Sequence, residues 1–359
     1  MTIDEILNGE TDRVEFKVEL PTNTLKYIKT VVAFANSAGG KVVIGVEDKT
    51  CKVVGVEEAR ISNLCDSITN AISDSCTPQI LPDISPIVVD GKKVLVITIL
   101  PGHNRPYFIT SLGKENGVFI RVDKTTRLAD TMIIKDLEMQ GSSASFDEIA
   151  YVGTEYDEIA ARKLCTDIER YIVEADGVQK TVGTGQMERW GLLQRVDKRL
   201  IPTNGFMLLT ENPFRYAKIQ CGLFKGTTRA VFIDKREFDG PLYEQIEEAY
   251  NFVLKHINLG AVINGLIRKD VYELPTGSIR EMIVNAVTHR NYLENSCVQV
   301  AVYDDRVEVT SPGMLYGGLT LEMILAGTSK VRNRAIAETF SQMRIIENWG
   351  TGVQRIIEG

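Results

Sequence analysis

The stretch REMIVNAVTHRNY, residues 280–292, carries an acid and an amide at helical spacing. Glu281 and Asn285 are four residues apart, so a helix places both on one face, opposite an apolar face that contains Ile283. A carboxylate there can take a proton from water, and an amide oxygen can ligate a hard cation such as Mg²⁺. Alternatively, Ser278 begins the helix and Glu281 completes a capping box, which is a structural role.

A glycine-rich turn near the end of the chain could bind phosphate groups. Gly350-Thr351-Gly352 precedes a helical pattern, and the backbone N–H groups that begin a helix favour anions. Between Glu281 and this turn lie a predicted hairpin, residues 297–310, and the loop Ser311-Pro312-Gly313. This ordered set indicates a nucleotide site more strongly than any one of its members.

Basic and aromatic side chains cluster in two short segments of the first third of the chain. Arg105 and Tyr107 lie in PGHNRPYF, and Arg121, Lys124 and Arg127 lie in FIRVDKTTRLAD. Such a group could neutralise phosphates and stack on an exposed base. The alternative is a solvated surface with scattered salt bridges.

Three acids of the same region offer a different chemistry. Glu10, Glu15 and Asp48 lie near the ends of predicted strands. Three carboxylates could bind a divalent metal and activate water for phosphodiester cleavage. Alternatively, Glu15 pairs with Lys17 on a strand edge.

Composition excludes several classes of protein. The chain has 359 residues and a net charge of −7, so any binding of nucleic acid must come from local basic patches. Six cysteines without a CxxC pair argue against a zinc site or a disulfide framework and favour the cytoplasm. No apolar run reaches the roughly 18–20 residues of a membrane span, and the polar N-terminus is not a secretory signal.

The pattern of elements predicts a multidomain α+β protein. Strands and helices alternate over residues 1–138, and the polar segment QGSSASFDE leads into a small α+β middle domain, residues 139–270. That domain has predicted strands at GFMLLT, AKIQCGLFKG and RAVFID. The third domain, residues 271–359, is predicted to contain a helix over 277–290, the hairpin and two short helices.

REMIVNAVTHRNY and ENWGTG resemble the N-box and the last glycine box of the GHKL-type ATPase domain, in the divergent form of bacterial transcriptional regulators. The resemblance covers about residues 272–359 and implies an α/β sandwich with ATP and Mg²⁺ as cofactors. It implies Glu281 as general base, Asn285 as magnesium ligand, Gly313 in the adenine loop, and Gly350 and Gly352 at the phosphates. Ser311 stands where typical members have an aspartate that accepts a hydrogen bond from adenine, and serine accepts more weakly. We expect this domain to continue beyond residue 359 in a longer protein.

EFK, FANSAGGKVVIGVED and PGHNRPYF with FIRVDKTTRLAD occur in order over about residues 8–135 and resemble the Schlafen-type AlbA domain. The resemblance implies a nucleic-acid-binding α+β fold, DNA as partner, and self-association as a dimer. Schlafen relatives with RNase activity use three carboxylates, which would be Glu10, Glu15 and Asp48 here. The sequence thus predicts a cytoplasmic, DNA-binding transcriptional regulator with a nucleotide site. The alternatives are a metal-dependent nuclease, a slow ATPase, and an interaction module in which both sites are vestigial.

Overall fold

The chain folds into two compact units, Met1–Ser143 and Ala144–Gly359. The structure, a computed structural model, describes residue 6 and residues 8–264, 267–346 and 352–358. Helices and strands are mixed in both units, which confirms the predicted multidomain α+β class.

The first unit is built around a four-stranded sheet. Its described strands are β1 (Val14–Lys17), β2 (Gly40–Ile44), β3 (Cys76–Thr77), β4 (Asp83–Val89), β5 (Lys92–Ile99), β6 (Phe108–Ile109), β7 (Phe119–Val122) and β8 (Thr125–Leu128). Its described helices are α1 (Leu25–Asn36), α2 (Glu58–Ser75), α3 (Gly113–Gly117) and α4 (Thr131–Gly141). The sheet order is β1-β2-β5-β4, in which β1 runs parallel to β2 and the other pairs are antiparallel.

Apolar periodicity explains how α1 joins this sheet. Ile28, Val31 and Val32 recur at helical spacing and are fully buried, together with the sheet residues Val42 and Ile97. At the predicted turn of the β4–β5 hairpin, Asp90 and Gly91 both have positive φ, 50° and 70°. That backbone matches the twist of antiparallel strands, so the Asp-Gly signal predicts the hairpin correctly.

The second unit holds the longer helices. Its described strands are β9 (Leu193–Val196), β10 (Arg199–Pro202), β11 (Ile219–Phe224), β12 (Phe232–Phe238), β13 (Leu259–Asn264), β14 (Ile267–Tyr272), β15 (Val298–Val302) and β16 (Val307–Thr310). Its described helices are α5 (Glu158–Asp176), α6 (Thr184–Arg189), α7 (Asn204–Leu208), α8 (Leu242–His256), α9 (Thr276–Thr288), α10 (Leu321–Leu325), α11 (Arg334–Gln342) and α12 (Gly352–Glu358).

One sheet combines strands from the predicted middle and third domains. Its order is β12-β11-β15-β16, and β11 runs parallel to β15 with Ile219 opposite Val298. The helices α8 and α9 pack against it, and their apolar residues Phe252, Ile283 and Val287 belong to the same core. The residues on either side of position 270 therefore share a hydrophobic core.

Two local predictions are wrong. The run GFMLLT is the helix α7 and the turn after it, because the Thr203 hydroxyl accepts a hydrogen bond from the Phe206 N–H and begins a helix. The helix that contains Glu281 begins at Thr276, with Pro275 at its N-cap position. Glu281 therefore lies beyond the first turn and does not form the predicted capping box with Ser278.

The length and apolar character of the described helices decide whether any of them could cross a membrane. None of them, within the described part of the chain, has the length and apolar character that a bilayer span requires.

Candidate functional site

Helix α9 presents the acid and the amide on the same face, as its periodicity predicts. Glu281 and Asn285 are half-buried, whereas Ile283 and Val287 on the other face are buried. The Asn285 side-chain N–H donates a hydrogen bond to the Glu281 carboxylate, with 3.0 Å between Nδ2 and Oε1. This bond fixes the two side chains relative to each other and turns the amide oxygen of Asn285 away from the carboxylate.

A cavity of about 790 Å³ lies beside this face of α9. Five residues of the predicted nucleotide site line it: Glu281, Asn285, Ser311, Gly313 and Gly352. Gly350, the sixth, lies outside the described residues. The volume is within the range of about 300–1,000 Å³ that is usual for small-molecule pockets. The structure thus brings together residues that are up to 71 positions apart in the chain.

The backbone at Gly352 lies directly against the acid and the amide. A Cβ atom at this position would be 1.9 Å from Glu281 Oε1 and 3.3 Å from Asn285 Nδ2. Since both distances are shorter than van der Waals contact, a side chain at position 352 would have to displace the Glu281 carboxylate or shift α12 away from α9. Glu281 is therefore held between the Asn285 amide and the α12 backbone.

The loop after β16 forms another wall of the cavity. The Ser311 hydroxyl donates a hydrogen bond to the Ala286 carbonyl, with 2.6 Å between the oxygens. Because its one proton is used there, the hydroxyl oxygen can act only as an acceptor towards a ligand. At Gly313 φ is +108°, and a Cβ would lie 2.5 Å from Arg332 Nη1, so glycine is needed for both reasons.

His289, at the C-terminal end of α9, also lines the cavity. Burial lowers its pKa, and the nearby Arg332 charge lowers it further. A neutral imidazole adds no positive charge at the cavity wall.

Two cationic residues of the cavity were not predicted from the sequence. Lys330 and Arg334 belong to the basic run SKVRNR and line the cavity beside Glu338. Lys330 Nζ donates to the Gly317 carbonyl at 2.6 Å, and Arg334 Nε donates to Glu148 Oε2 at 2.9 Å. The basic run SKVRNR could have indicated an anion-binding segment from the sequence. Its position beside α9, however, depends on tertiary packing.

The predicted phosphate-contacting residues of the first unit separate into buried and exposed ones. Arg105, Tyr107 and Arg121 are each less than 10% exposed. The side chains of Lys124 and Arg127 are exposed, at the turn and on the second strand of the β7–β8 hairpin. The surface patch predicted from the sequence thus retains Lys124 and Arg127, and the other three lie in the interior.

Arg121 supports the hairpin from inside the unit. Its guanidinium forms an ion pair with Glu15 at 2.8 Å, donates to the carbonyls of Thr11 and Asp12 at 3.0 and 3.2 Å, and lies over the Phe34 ring. These contacts connect β7 to the segment before β1. They leave little of the side chain accessible to a ligand.

Asn36, at the end of α1, has a similar structural role. Its amide donates to the carbonyls of Tyr107 and Phe119, at 2.8 and 3.0 Å, and its oxygen accepts from the Tyr107 N–H. Both partners are more than 70 residues away, so no local pattern could predict them.

Of the three acids of the nuclease hypothesis, Glu10 has its pKa altered by the other two. Burial raises the pKa of Glu10, and the Glu15 and Asp48 charges raise it further, against the lowering effects of the Phe16 N–H and of Lys17. Glu15 is already paired with Arg121 and with Lys17, 2.9 Å away. Across the described ranges, no three or more His, Cys, Asp or Glu side chains are grouped so that they could hold a metal ion.

Family comparisons match the two ends of the chain. Residues 10–130 match the family described as "Schlafen, AlbA_2". Residues 295–359 match the family described as "Putative ATP-dependent DNA helicase recG C-terminal". The chain therefore contains a Schlafen AlbA_2 domain and a RecG-like C-terminal domain of the ATPase type, which confirms the domain-level part of the resemblance.

Individual proteins that resemble this chain share 20–25% of the aligned residues with it. The "Uncharacterized ATP-binding protein UU034" of Ureaplasma parvum is 25% identical over 87 residues, which is 24% of each chain. This chain thus matches about a quarter of the length of that relative. The DIP2311 protein of Corynebacterium diphtheriae is 22% identical, with a TM-score of 0.49, over 96% of this chain and 70% of that one. The N-terminal domain of a RecG-related helicase protein of Nitrosomonas europaea is 20% identical, with a TM-score of 0.29, over 36% of this chain and 94% of that one.

Proposed function

We propose that this chain is a cytoplasmic, nucleic-acid-binding transcriptional regulator that binds an adenine nucleotide in the cavity of its second unit. The Schlafen AlbA_2 domain would contact DNA, and a dimer would be the working form. The observation that carries the proposal is the convergence of Glu281, Asn285, Ser311, Gly313 and Gly352 on one cavity.

The cavity offers suitable groups for the base and the phosphates of a nucleotide. Ser311 provides a hydroxyl oxygen that can accept a hydrogen bond from an exocyclic amine such as that of adenine. Lys330 and Arg334 provide positive charge for phosphates. A further support is the match to a quarter of the Ureaplasma parvum protein, which is named an ATP-binding protein.

Magnesium fits the donor atoms at α9. Asn285 directs its N–H towards Glu281, which leaves the amide oxygen as a neutral, hard ligand next to a carboxylate. A bound Mg²⁺ would neutralise phosphate charge, and Asn285 would hold it. Glu281 would orient the Asn285 amide and keep negative charge beside the ion.

The proposed DNA contact is on the β7–β8 hairpin. Lys124 and Arg127 are exposed, and Arg121 holds the hairpin against the segment before β1. Two cations on a supported hairpin could neutralise backbone phosphates without selecting a sequence.

Slow ATP hydrolysis is the second candidate function. It is favoured by the position of Glu281, whose carboxylate lines the cavity and is fixed by Asn285. As general base it would accept the proton of an attacking water. Release of phosphate by the wild type that Glu281→Gln abolishes, with ATP still bound, would establish hydrolysis.

The melting temperature of the whole chain tests the proposed nucleotide site. A ligand that binds only the folded state raises the melting temperature, so ATP with Mg²⁺ should raise it in a concentration-dependent way. An unchanged melting temperature at millimolar ATP would contradict the proposal.

A further inference from the structure

Arg334 connects the cavity to the segment that begins the second unit. It lines the cavity, and its guanidinium forms an ion pair with Glu148, with 2.9 Å between Nε and Oε2. Glu148 lies 186 residues earlier in the chain. The two side chains are 49% and 31% exposed, so water reaches the pair.

Glu148 is the better anchored of the two partners. Its carbonyl accepts a hydrogen bond from Gln194 at 2.7 Å, and its Cγ lies so close to Gly191 that a Cβ there would be 3.0 Å away. The preceding residue, Asp147, is completely buried and accepts a hydrogen bond from the Ile336 N–H at 2.8 Å. The backbone around Glu148 is therefore fixed.

The ion pair is weak enough to be exchanged for a ligand. Solvated salt bridges contribute little net stability, because water and salt screen them. Arg334 Nε and Nη2 both donate to the same oxygen, Glu148 Oε2, so this pair lacks the two parallel hydrogen bonds of a bidentate contact. A phosphate group can accept two parallel hydrogen bonds from a guanidinium. A phosphate group inside the cavity would thus compete well with the Glu148 carboxylate.

We propose that Arg334 contacts the anionic part of the cavity's ligand, and that Glu148 competes with the ligand for Arg334 and so sets its affinity. The inference rests on the proposed nucleotide binding and specifies it further. It requires the cavity to prefer a phosphorylated nucleoside to the free nucleoside, and it gives the Ser145–Glu148 segment control over that preference.

Calorimetric titration of wild type, Arg334→Gln, Glu148→Gln and the double variant with ATP plus Mg²⁺, and separately with adenosine, tests this inference. Arg334→Gln should weaken ATP binding by about 10- to 100-fold, the usual effect of losing a charged hydrogen bond, and leave adenosine binding unchanged. Glu148→Gln should tighten ATP binding up to about fivefold, because a solvated competitor is removed. In the double variant, Glu148→Gln should have no further effect.

A matched control is available between α6 and β9. Arg195 and Glu188 form an ion pair with similar exposure, 51% and 26%, and neither residue lines the cavity. Arg195→Gln should leave the binding of both ligands unchanged. If Arg334→Gln lowers the melting temperature of the free protein, Arg334→Lys provides the second test, with ATP affinity between those of wild type and Arg334→Gln.

The alternatives give distinct results. Equal losses of ATP and adenosine binding in Arg334→Gln would show a structural role and overturn the inference. ATP binding that neither single substitution alters would also overturn it, while the proposed nucleotide binding would stand. If the wild type binds neither ATP nor adenosine, both the inference and the proposed nucleotide site are wrong.

Discussion

Asn285 and Glu281 are joined by a hydrogen bond of 3.0 Å along one face of α9, and the Gly352 backbone lies against the same pair. This arrangement gives the acid and the amide a shared position on the cavity wall. The helix begins at Thr276, earlier than the capping-box interpretation requires. Glu281 therefore has no capping role that would compete with ligand binding.

Gly352→Ala should disturb the cavity wall. The added methyl group would lie 1.9 Å from Glu281 Oε1, so either the carboxylate or α12 must move. We expect a loss of stability of about 1–3 kcal/mol, the usual range for overpacking, and a loss of ATP binding. Gly277→Ala is the control, because it lies in the first turn of α9 and a Cβ there meets nothing within 4 Å. If Gly352→Ala binds ATP like Gly277→Ala, the close approach at Gly352 has no role in the site.

Arg121→Gln should destabilise the first unit. The substitution leaves Glu15 without its buried partner and removes donors from the carbonyls of Thr11 and Asp12, so we expect a loss of about 3 kcal/mol. Cys76 is 5% exposed, so it reacts with an alkylating reagent only when this unit unfolds. Quantifying the alkylated Cys76 peptide at increasing urea concentrations therefore measures the unfolding of the first unit. The exposed Arg127→Gln should behave like wild type. Equal Cys76 protection in both variants would contradict the structural role of Arg121.

The double substitution of Lys124 and Arg127 by Gln should weaken nucleic-acid binding regardless of sequence. Each phosphate contact contributes about 0.9 to the slope of log K against log salt, so the slope should fall by about two. Electrophoretic mobility shift at several salt concentrations measures it. Replacing the exposed Lys49 and Lys52 by Gln removes the same charge elsewhere on the unit. If both double variants lose affinity equally, the hairpin is not the specific contact.

Asp147→Asn should remove a pH dependence of stability from the second unit. Burial raises the pKa of Asp147 from its ordinary 3.8 to about 6. Since the folded state holds this proton more tightly, the stabilising contribution is complete below pH 3.8 and is lost as the pH rises to about 6. One pKa unit corresponds to about 1.4 kcal/mol, so the total change is roughly 3 kcal/mol.

Urea unfolding at several pH values, followed by tryptophan fluorescence, measures this change. Both tryptophans, Trp190 and Trp349, come after residue 143 in the sequence. The fluorescence change therefore does not report unfolding of the first unit. The stability of Asp147→Asn relative to wild type should increase between pH 4 and pH 6. Parallel pH profiles of the two proteins would contradict the raised pKa.

Local periodicity predicted the elements that position the site. The i, i+4 spacing of Glu281 and Asn285 was enough to place both on the polar face of α9, and the hairpin β15–β16 and helix α11 follow from their own patterns. The apolar run GFMLLT was ambiguous between a buried helix and a buried strand, and the Thr203 cap decides for the helix.

Long-range partners could not be predicted. The composition around Arg121 indicates a basic surface, but the ion pair with Glu15, 106 residues away, places the guanidinium in the interior. Arg334 lies in a basic run without a distinguishing motif, and its contact with Glu148 spans 186 residues. Such pairings depend on how the units fold, and no spacing rule within one segment encodes them.

Calorimetric titration of ATP with Mg²⁺ into wild type and Asn285→Ala tests the nucleotide site most directly. Asn258→Ala is the matched control, because Asn258 also donates to a glutamate, Glu273, at 2.7 Å, and neither residue lines the cavity. We predict that wild type and Asn258→Ala bind ATP equally and that Asn285→Ala binds it at least about tenfold more weakly. Equal affinity of all three proteins, or no binding by the wild type, would contradict the assignment of the cavity.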